Sequence, residues 1–204
     1  MLHNKDIFEK VVNCDLFIDT NVLIGALYLE DLRSFLHQLK SNGCSIMSVP
    51  GVAIEFYRGS KKLSKDIVLK DLSPQGYRSR AEFYKNIVDS TYPIEKHLDE
   101  MEEFIVIAHN TNQEMEFTDI TLAACLYYFK NSNTYLMTSN TQHFSSEIFH
   151  REFILTPESG KGVMNYCLYS FSKENFNKAS ENILKSSKNT HVETRTENVD
   201  SIPF

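Results

Sequence analysis

A chain of 204 residues with 42% apolar and 24% charged residues has the size and make-up of one packed domain with additions, or of two small ones. It holds no run of 18 apolar residues, so no transmembrane helix is indicated. A formal charge of −6 argues against a protein that coats nucleic acid through net positive charge.

The opening MLHNKDIFEKVVNCD has scattered charges and no apolar h-region, so it reads as no secretory signal. DLFI, from Asp15 to Ile18, reads as a buried strand, and Thr20 to Lys40 as one helix with apolar residues at helical spacing. Ser41 to Gly43 stops that helix, with Gly43 as its C′ residue. CSIMSV is a second strand, and Pro50 opens the helix that carries GVAIEFYRG. A basic stretch follows, helical near Leu63 to Lys70, broken at SPQGY and resuming from Arg78. Between Arg58 and Lys85, eight basic residues face three acidic ones, a local excess of five positive charges. The span from Asp89 to Glu116 is acidic by contrast.

Pro93 breaks the chain before a helix from about Ile94 to His109. Thr118 to Lys130 is a nearly continuous apolar helix with Thr118 as its N-cap. Strands follow at Thr134 to Ser139 and at Glu152 to Pro157, then a further strand in VMNYCLYSF and an amphipathic helix in KENFNKASENILKS. The four cysteines, Cys14, Cys44, Cys125 and Cys167, form no CxxC pair and read as reduced core residues of a cytoplasmic protein. Alternating strands and helices argue for an α/β fold with a parallel sheet covered on both faces. The expected organisation is a domain over 1–157 with a basic helical insertion around 58–90. A C-terminal extension over 158–186 packs on it, and a disordered tail runs over 187–204.

Four polar positions stand out by their place. Asp19 and Asn140 lie just beyond the carboxyl ends of the first and third predicted strands, where open parallel sheets collect ligand-binding groups. Glu55 interrupts the apolar VAIEFY, and Asp119 stands in the first turn of the apolar helix. Carboxylates that converge repel one another unless a cation compensates them, and hard oxygen donors suit Mg²⁺ or Mn²⁺. Such a set supports metal-assisted hydrolysis of a phosphodiester. Each residue also has a plainer reading: Asp19 as a helix cap, Asp119 as a first-turn acid, Glu55 as the partner of Arg58, and Asn140 as a turn residue.

LFIDTNVLIGAL, SVPGVAIEFYRG, FTDITLAACLYYF and YLMTSNTQHF together resemble, in order and on the expected elements, the PIN-domain ribonucleases. The likeness is strongest to the toxin components of bacterial toxin–antitoxin pairs and spans Leu16 to Phe144. The resemblance implies a three-layer α/β/α sandwich with a central parallel sheet and a cytoplasmic endoribonuclease that uses Mg²⁺ or Mn²⁺. Its implied partners are RNA, an antitoxin protein and a second copy of the chain, with no membrane. Carried over residue by residue, Asp19, Glu55, Asp119 and Asn140 are the metal-holding and catalytic positions. Thr20, Asn21 and Thr138 support them, with Asn21 orienting Asp19.

The departure is Asn140, where the family has an acid in a T-x-D pattern. Asn keeps a carbonyl oxygen but removes one negative charge. That substitution leaves an alternative open, a PIN module that binds RNA or a protein without cutting. His143 reads as structural. Arg58, Lys61, Lys62, Arg78 and Arg80 are the expected RNA-backbone contacts, with Tyr77, Phe83 and Tyr84 available to stack on unpaired bases.

Overall fold

The computed structural model describes residues 5–58, 71–144, 146–157 and 164–193. After a short helix α1 (Lys5–Lys10) come β1 (Asp15–Ile18), α2 (Thr20–Tyr28), α3 (Glu30–Ser41), β2 (Ser45–Ser48) and α4 (Pro50–Arg58). Then come α5 (Pro74–Ile87), β3 (Ser90–Thr91), a 3₁₀ helix (Ile94–Met101), α6 (Glu102–Thr111) and α7 (Phe117–Tyr128). The chain continues through β4 (Thr134–Thr138), β5 (Phe149–Leu155), β6 (Tyr166–Phe171) and α8 (Lys173–Glu193).

The six strands form one sheet in the order β3-β2-β1-β4-β6-β5, flanked by helices, so the molecule is α/β. β1 is central and parallel to both neighbours, with Asp15 opposite Ser45 on one side and Thr134 on the other. Its Leu16, Phe17 and Ile18 are fully buried, and every residue of β4 is buried. Near-continuous apolar strands of this kind are what a sheet covered by helices demands.

The sheet is not wholly parallel. β6 inserts between β4 and β5 and runs antiparallel to both. The ten residues between Leu155 and Tyr166 are too few for a crossover, which takes roughly a dozen or more, so the chain turns back instead. The two-residue β3 at the far edge is too short to leave a sequence pattern.

The helix expected from Thr20 to Lys40 is two. Leu29, extended at φ −105° and ψ 105°, ends α2 and begins α3. The break lets Leu32, Phe35, Leu36 and Leu39 turn back onto the core, and Glu30 and Asp31 favour the new helix N-terminus. The expected Ile94 to His109 helix likewise starts as 3₁₀ and becomes α-helical at Glu102. The last helix runs to Glu193, past the point where a disordered tail was expected, and 194–204 lie outside the described residues.

An aromatic cluster anchors the C-terminal elements. Phe104 of α6 stacks on Tyr127 of α7 at 4.7 Å between centroids. Tyr127 meets Phe171 of β6 at 5.3 Å, and Phe171 meets Phe176 of α8 at 5.5 Å. Among the described residues no helix is long and apolar enough to cross a membrane.

Candidate active site at the carboxyl edge of the sheet

Strand pairing sets the first contact. Ile18 is opposite Met137, so Asp19 and Thr138 are the next pair along β1 and β4. Asp19 is extended (φ −86°, ψ 164°) and caps α2, accepting from the Thr20 backbone N–H at 2.5 Å through Oδ1. Its Oδ2 accepts from the Thr138 hydroxyl at 2.7 Å and from Asn21 Nδ2 at 2.6 Å. Asp19 is thus a helix cap and also faces the end of β4. Asn21 ties the two segments together, since its Oδ1 accepts from the Ser139 backbone N–H at 3.0 Å.

Glu55, half-buried on α4, accepts from the Thr20 hydroxyl at 2.6 Å and from the Thr118 hydroxyl. These threonines take the place of Arg58, which is exposed on the last turn of α4. Thr118 is not the N-cap of α7. Glu116 is, and this frees the Thr118 side chain to face Glu55. Close approach of α4 to α7 depends on Gly51, where a Cβ would stand 2.9 Å from Thr118 Oγ1.

Asp119, 6% exposed in the first turn of α7, accepts from the Glu116 backbone N–H at 3.3 Å. Its Oδ2 lies 2.6 Å from His143 Nδ1, and that nitrogen is 2.7 Å from Asn140 Nδ2. One ring nitrogen cannot donate to Asp119 and accept from an amide N–H at once. With Asp119 ionised, Nδ1–H donates to the carboxylate, and the Asn140 amide turns its oxygen to the ring. Asn140 is further held by its backbone N–H, which donates to Thr138 Oγ1 at 2.9 Å. His143, read as structural from the sequence, therefore touches both Asp119 and Asn140. The HF pair gave no sign of this, because the contact depends on the loop after β4 folding over α7.

The neighbouring carboxylates act on Asp19. Burial pushes Asp19 up to about 6, and the fields of Asp119 and Glu55 add to it against the hydrogen bonds from Thr138 and Thr20. Burial also raises Asp119, opposed by the His143 hydrogen bond. The donors around Asp19, Glu55 and Asp119 are hydroxyls, amides and one imidazole, and no Lys or Arg among the described residues pairs with them. Hard oxygen donors with uncompensated charge fit a divalent cation. No three Asp, Glu, His or Cys side chains among the described residues stand ready as a ligand set, so binding would draw them off these hydrogen bonds.

The expected RNA contacts scatter. Arg58 and Arg78 are exposed, while Lys61 and Lys62 lie outside the described residues. Arg80 is corrected: it is 1% exposed, with Nε donating to the Tyr57 carbonyl at 3.0 Å and Nη1 to that of Asp71 at 2.8 Å. It joins α4 to α5 instead of facing solvent. Phe83 and Tyr84 are likewise turned inward, both packing on Phe56, and the Tyr84 hydroxyl bonds Thr91 Oγ1 at 2.8 Å. Tyr77 is exposed.

Beyond Asn140 the loop after β4 borders a cavity of about 720 Å³ whose lining includes Asn112, Thr141, Gln142, His150 and Arg151. A second hollow of about 410 Å³ shares Thr141 and Arg151 and reaches Ser139. Among the described residues Arg151 lines both and no carboxylate lines either, so both suit an anionic ligand. Arg151 escaped the sequence reading because β5 carries no motif. Comparison with protein-family models, with curated proteins and with solved structures finds no match.

Proposed function

We propose that this chain is a PIN-type endoribonuclease that hydrolyses RNA phosphodiester bonds with the help of Mg²⁺ or Mn²⁺. The observation that carries the reading is the convergence of Asp19, Glu55 and Asp119: Glu55 accepts from the hydroxyl of Thr20, next to Asp19, and from that of Thr118, next to Asp119. The three acids come from separate segments, meet at the carboxyl edge of parallel strands, and have no Lys or Arg partner among the described residues. The motif resemblance supports it, as does Arg151 in the two hollows beside Asn140. The PIN-like α/β/α layering, the cytoplasmic setting and the pairing with an antitoxin belong to the same reading.

Asp19, Glu55, Asp119 and Asn140 would hold the ion. When bound, it supplies charge compensation and Lewis-acid activation at the phosphodiester. Thr138 and Asn21 orient Asp19, and the hydroxyls of Thr20 and Thr118 orient Glu55. His143 donates to Asp119 and opposes the upward push of burial on its carboxyl. The exposed Arg151, beside Ser139 and Thr141, receives flanking phosphate.

The test is cleavage of a mixed RNA pool with Mn²⁺ by wild type and Asp19→Asn. Wild-type cutting that the variant loses supports the reading, and equal cutting by both sinks it. The second reading, a module that binds without cutting, draws on Asn140, whose amide is engaged with His143 where the family has an acid. An inert wild type made active by Asn140→Asp would favour it.

A further inference from the structure

At the opposite end of the strands from Asp19, two thiols meet. Cys14 precedes β1 and Cys44 precedes β2, and both are buried, at 3% and 5% exposure. Their sulfurs are 3.0 Å apart, and the other two cysteines, Cys125 and Cys167, stand in separate elements. Two left-handed turns create the meeting. Asn13 at φ 50° leads into Cys14, and Gly43 at φ 84° leads into Cys44. A Cβ on Gly43 would collide with the Asn13 side chain, so the turns nest.

The strand register continues through the pair. Asp15 is opposite Ser45, and the Ser45 N–H donates to the Cys14 carbonyl at 2.8 Å. Neighbouring strands lie about 4.8 Å apart, inside the roughly 4.4–6.8 Å between Cα atoms that a disulfide spans. With the sulfurs already 3.0 Å apart, closing the bond asks chiefly for rotation about the side chains.

We propose that Cys14 and Cys44 are an oxidation site, a dithiol that peroxide converts to an intramolecular disulfide. Cys44 is the attacking sulfur. The hydrogen bond from the Cys14 thiol lowers Cys44 from its ordinary value, and the same bond holds Cys14 protonated. The Cys44 thiolate attacks one peroxide oxygen; an S–O bond forms, the O–O bond breaks, and the departing hydroxide takes up a proton as water. The Cys14 sulfur then attacks Cys44; the S–S bond forms, the S–O bond breaks, and a second water leaves with the Cys14 proton. Two thiols and one H₂O₂ become a disulfide and two waters, with two electrons passing from sulfur to oxygen.

The Cys44 thiol donates to the Val11 carbonyl at 2.7 Å, in the turn after the short α1, and this bond must open before Cys44 ionises. Reaction is therefore expected over minutes to hours, as that segment opens. The cross-link closes the chain from residue 14 to residue 44 around β1, α2 and α3.

The experiment treats the folded wild-type chain with millimolar H₂O₂, removes the oxidant, unfolds the protein in an alkylating agent and maps the peptides by mass. The expected result is two of the four cysteines protected, a 14–44 linkage, a mass lower by two hydrogens, and full reversal by dithiothreitol. Melting should rise by several degrees on oxidation, as expected for a loop of roughly 30 residues. Four alkylated cysteines, a linkage to Cys125 or Cys167, or irreversible oxidation of Cys44 beside a free Cys14 would overturn the proposal. In Cys14→Ser, whose hydroxyl keeps a donor beside Cys44, Cys44 should be trapped by dimedone as a sulfenic acid, and an unlabelled Cys44 would remove its role as the attacking sulfur. No step reads RNA cleavage, so the outcome is independent of the nuclease reading.

Discussion

Replacing Asp19 with Asn removes a charge that the fold holds in a dry, like-charged setting. Burial, reinforced by Asp119 and Glu55, raises the carboxyl from 3.8 to about 6. The folded chain therefore takes up this proton at a higher pH than the unfolded chain, and stability falls as pH rises through that window. Below 3.8 both states are protonated and the site exacts nothing; above about 6 the full penalty, about 3 kcal/mol, is present. At pH 5 roughly half of it applies. Asn has no charge to desolvate, but its amide must point N–H groups either at the Thr20 N–H or at the donors on Asn21 and Thr138. That mismatch costs about 1 kcal/mol, the worth of an N-cap bond.

The expected net gain is about 2 kcal/mol at pH 7.5, or about 4–8 °C in Tm for a chain of this length, shrinking to under about 1 kcal/mol at pH 5. Guanidinium unfolding in EDTA at the two pH values, followed by circular dichroism, measures it. Adding Mn²⁺ at millimolar concentration should raise wild type and leave the variant where it was. A variant no more stable than wild type at pH 7.5, or a gain that ignores pH, refutes the electrostatic account.

Other perturbations separate the roles of neighbouring residues. His143→Ala removes the donor that opposes the upward shift of Asp119, so cleavage should fall more at pH 6 than at pH 8; an equal loss at both would assign His143 to packing alone. Arg80→Ala should cost about 2–4 kcal/mol in denaturant unfolding by leaving the Tyr57 and Asp71 carbonyls unmet, with no change in the salt dependence of RNA binding. Weakened RNA binding at unchanged stability would return Arg80 to the RNA surface. Gly51→Ala gains helix propensity, about 1 kcal/mol, while its Cβ crowds Thr118 at 2.9 Å. Stability should stay within about 1 kcal/mol of wild type while cleavage drops several-fold, because Thr118 orients Glu55.

The sequence by itself determined the alternation of elements. DLFI, SIMS and TYLMT are apolar or β-prone runs too short for helices, while Pro50 opens the segment around Glu55 and the apolar segment around Asp119 runs too long for a strand, which is enough to specify an α/β sheet. It also placed Asp19 and Asn140 beyond strand ends, because an abrupt polar residue after a buried run is a local signal. What lies across the sheet has no such signal. Whether β6 runs with or against β5 depended on connection length, and the break at Leu29 depended on the core that α3 turns back to cover. Arg80 and Tyr84 read as solvent-facing in a basic stretch, yet α4 buries both.

Only the tertiary structure decided the company each carboxylate keeps: Thr138 on Asp19, Thr20 and Thr118 on Glu55, His143 on Asp119. It decided the meeting of Cys14 and Cys44 as well. These contacts join residues 24 to 119 positions apart, or 30 for the cysteines. The periodicity of a linear chain reports which face a residue shares with its near neighbours, whereas sheet order and register choose what stands opposite.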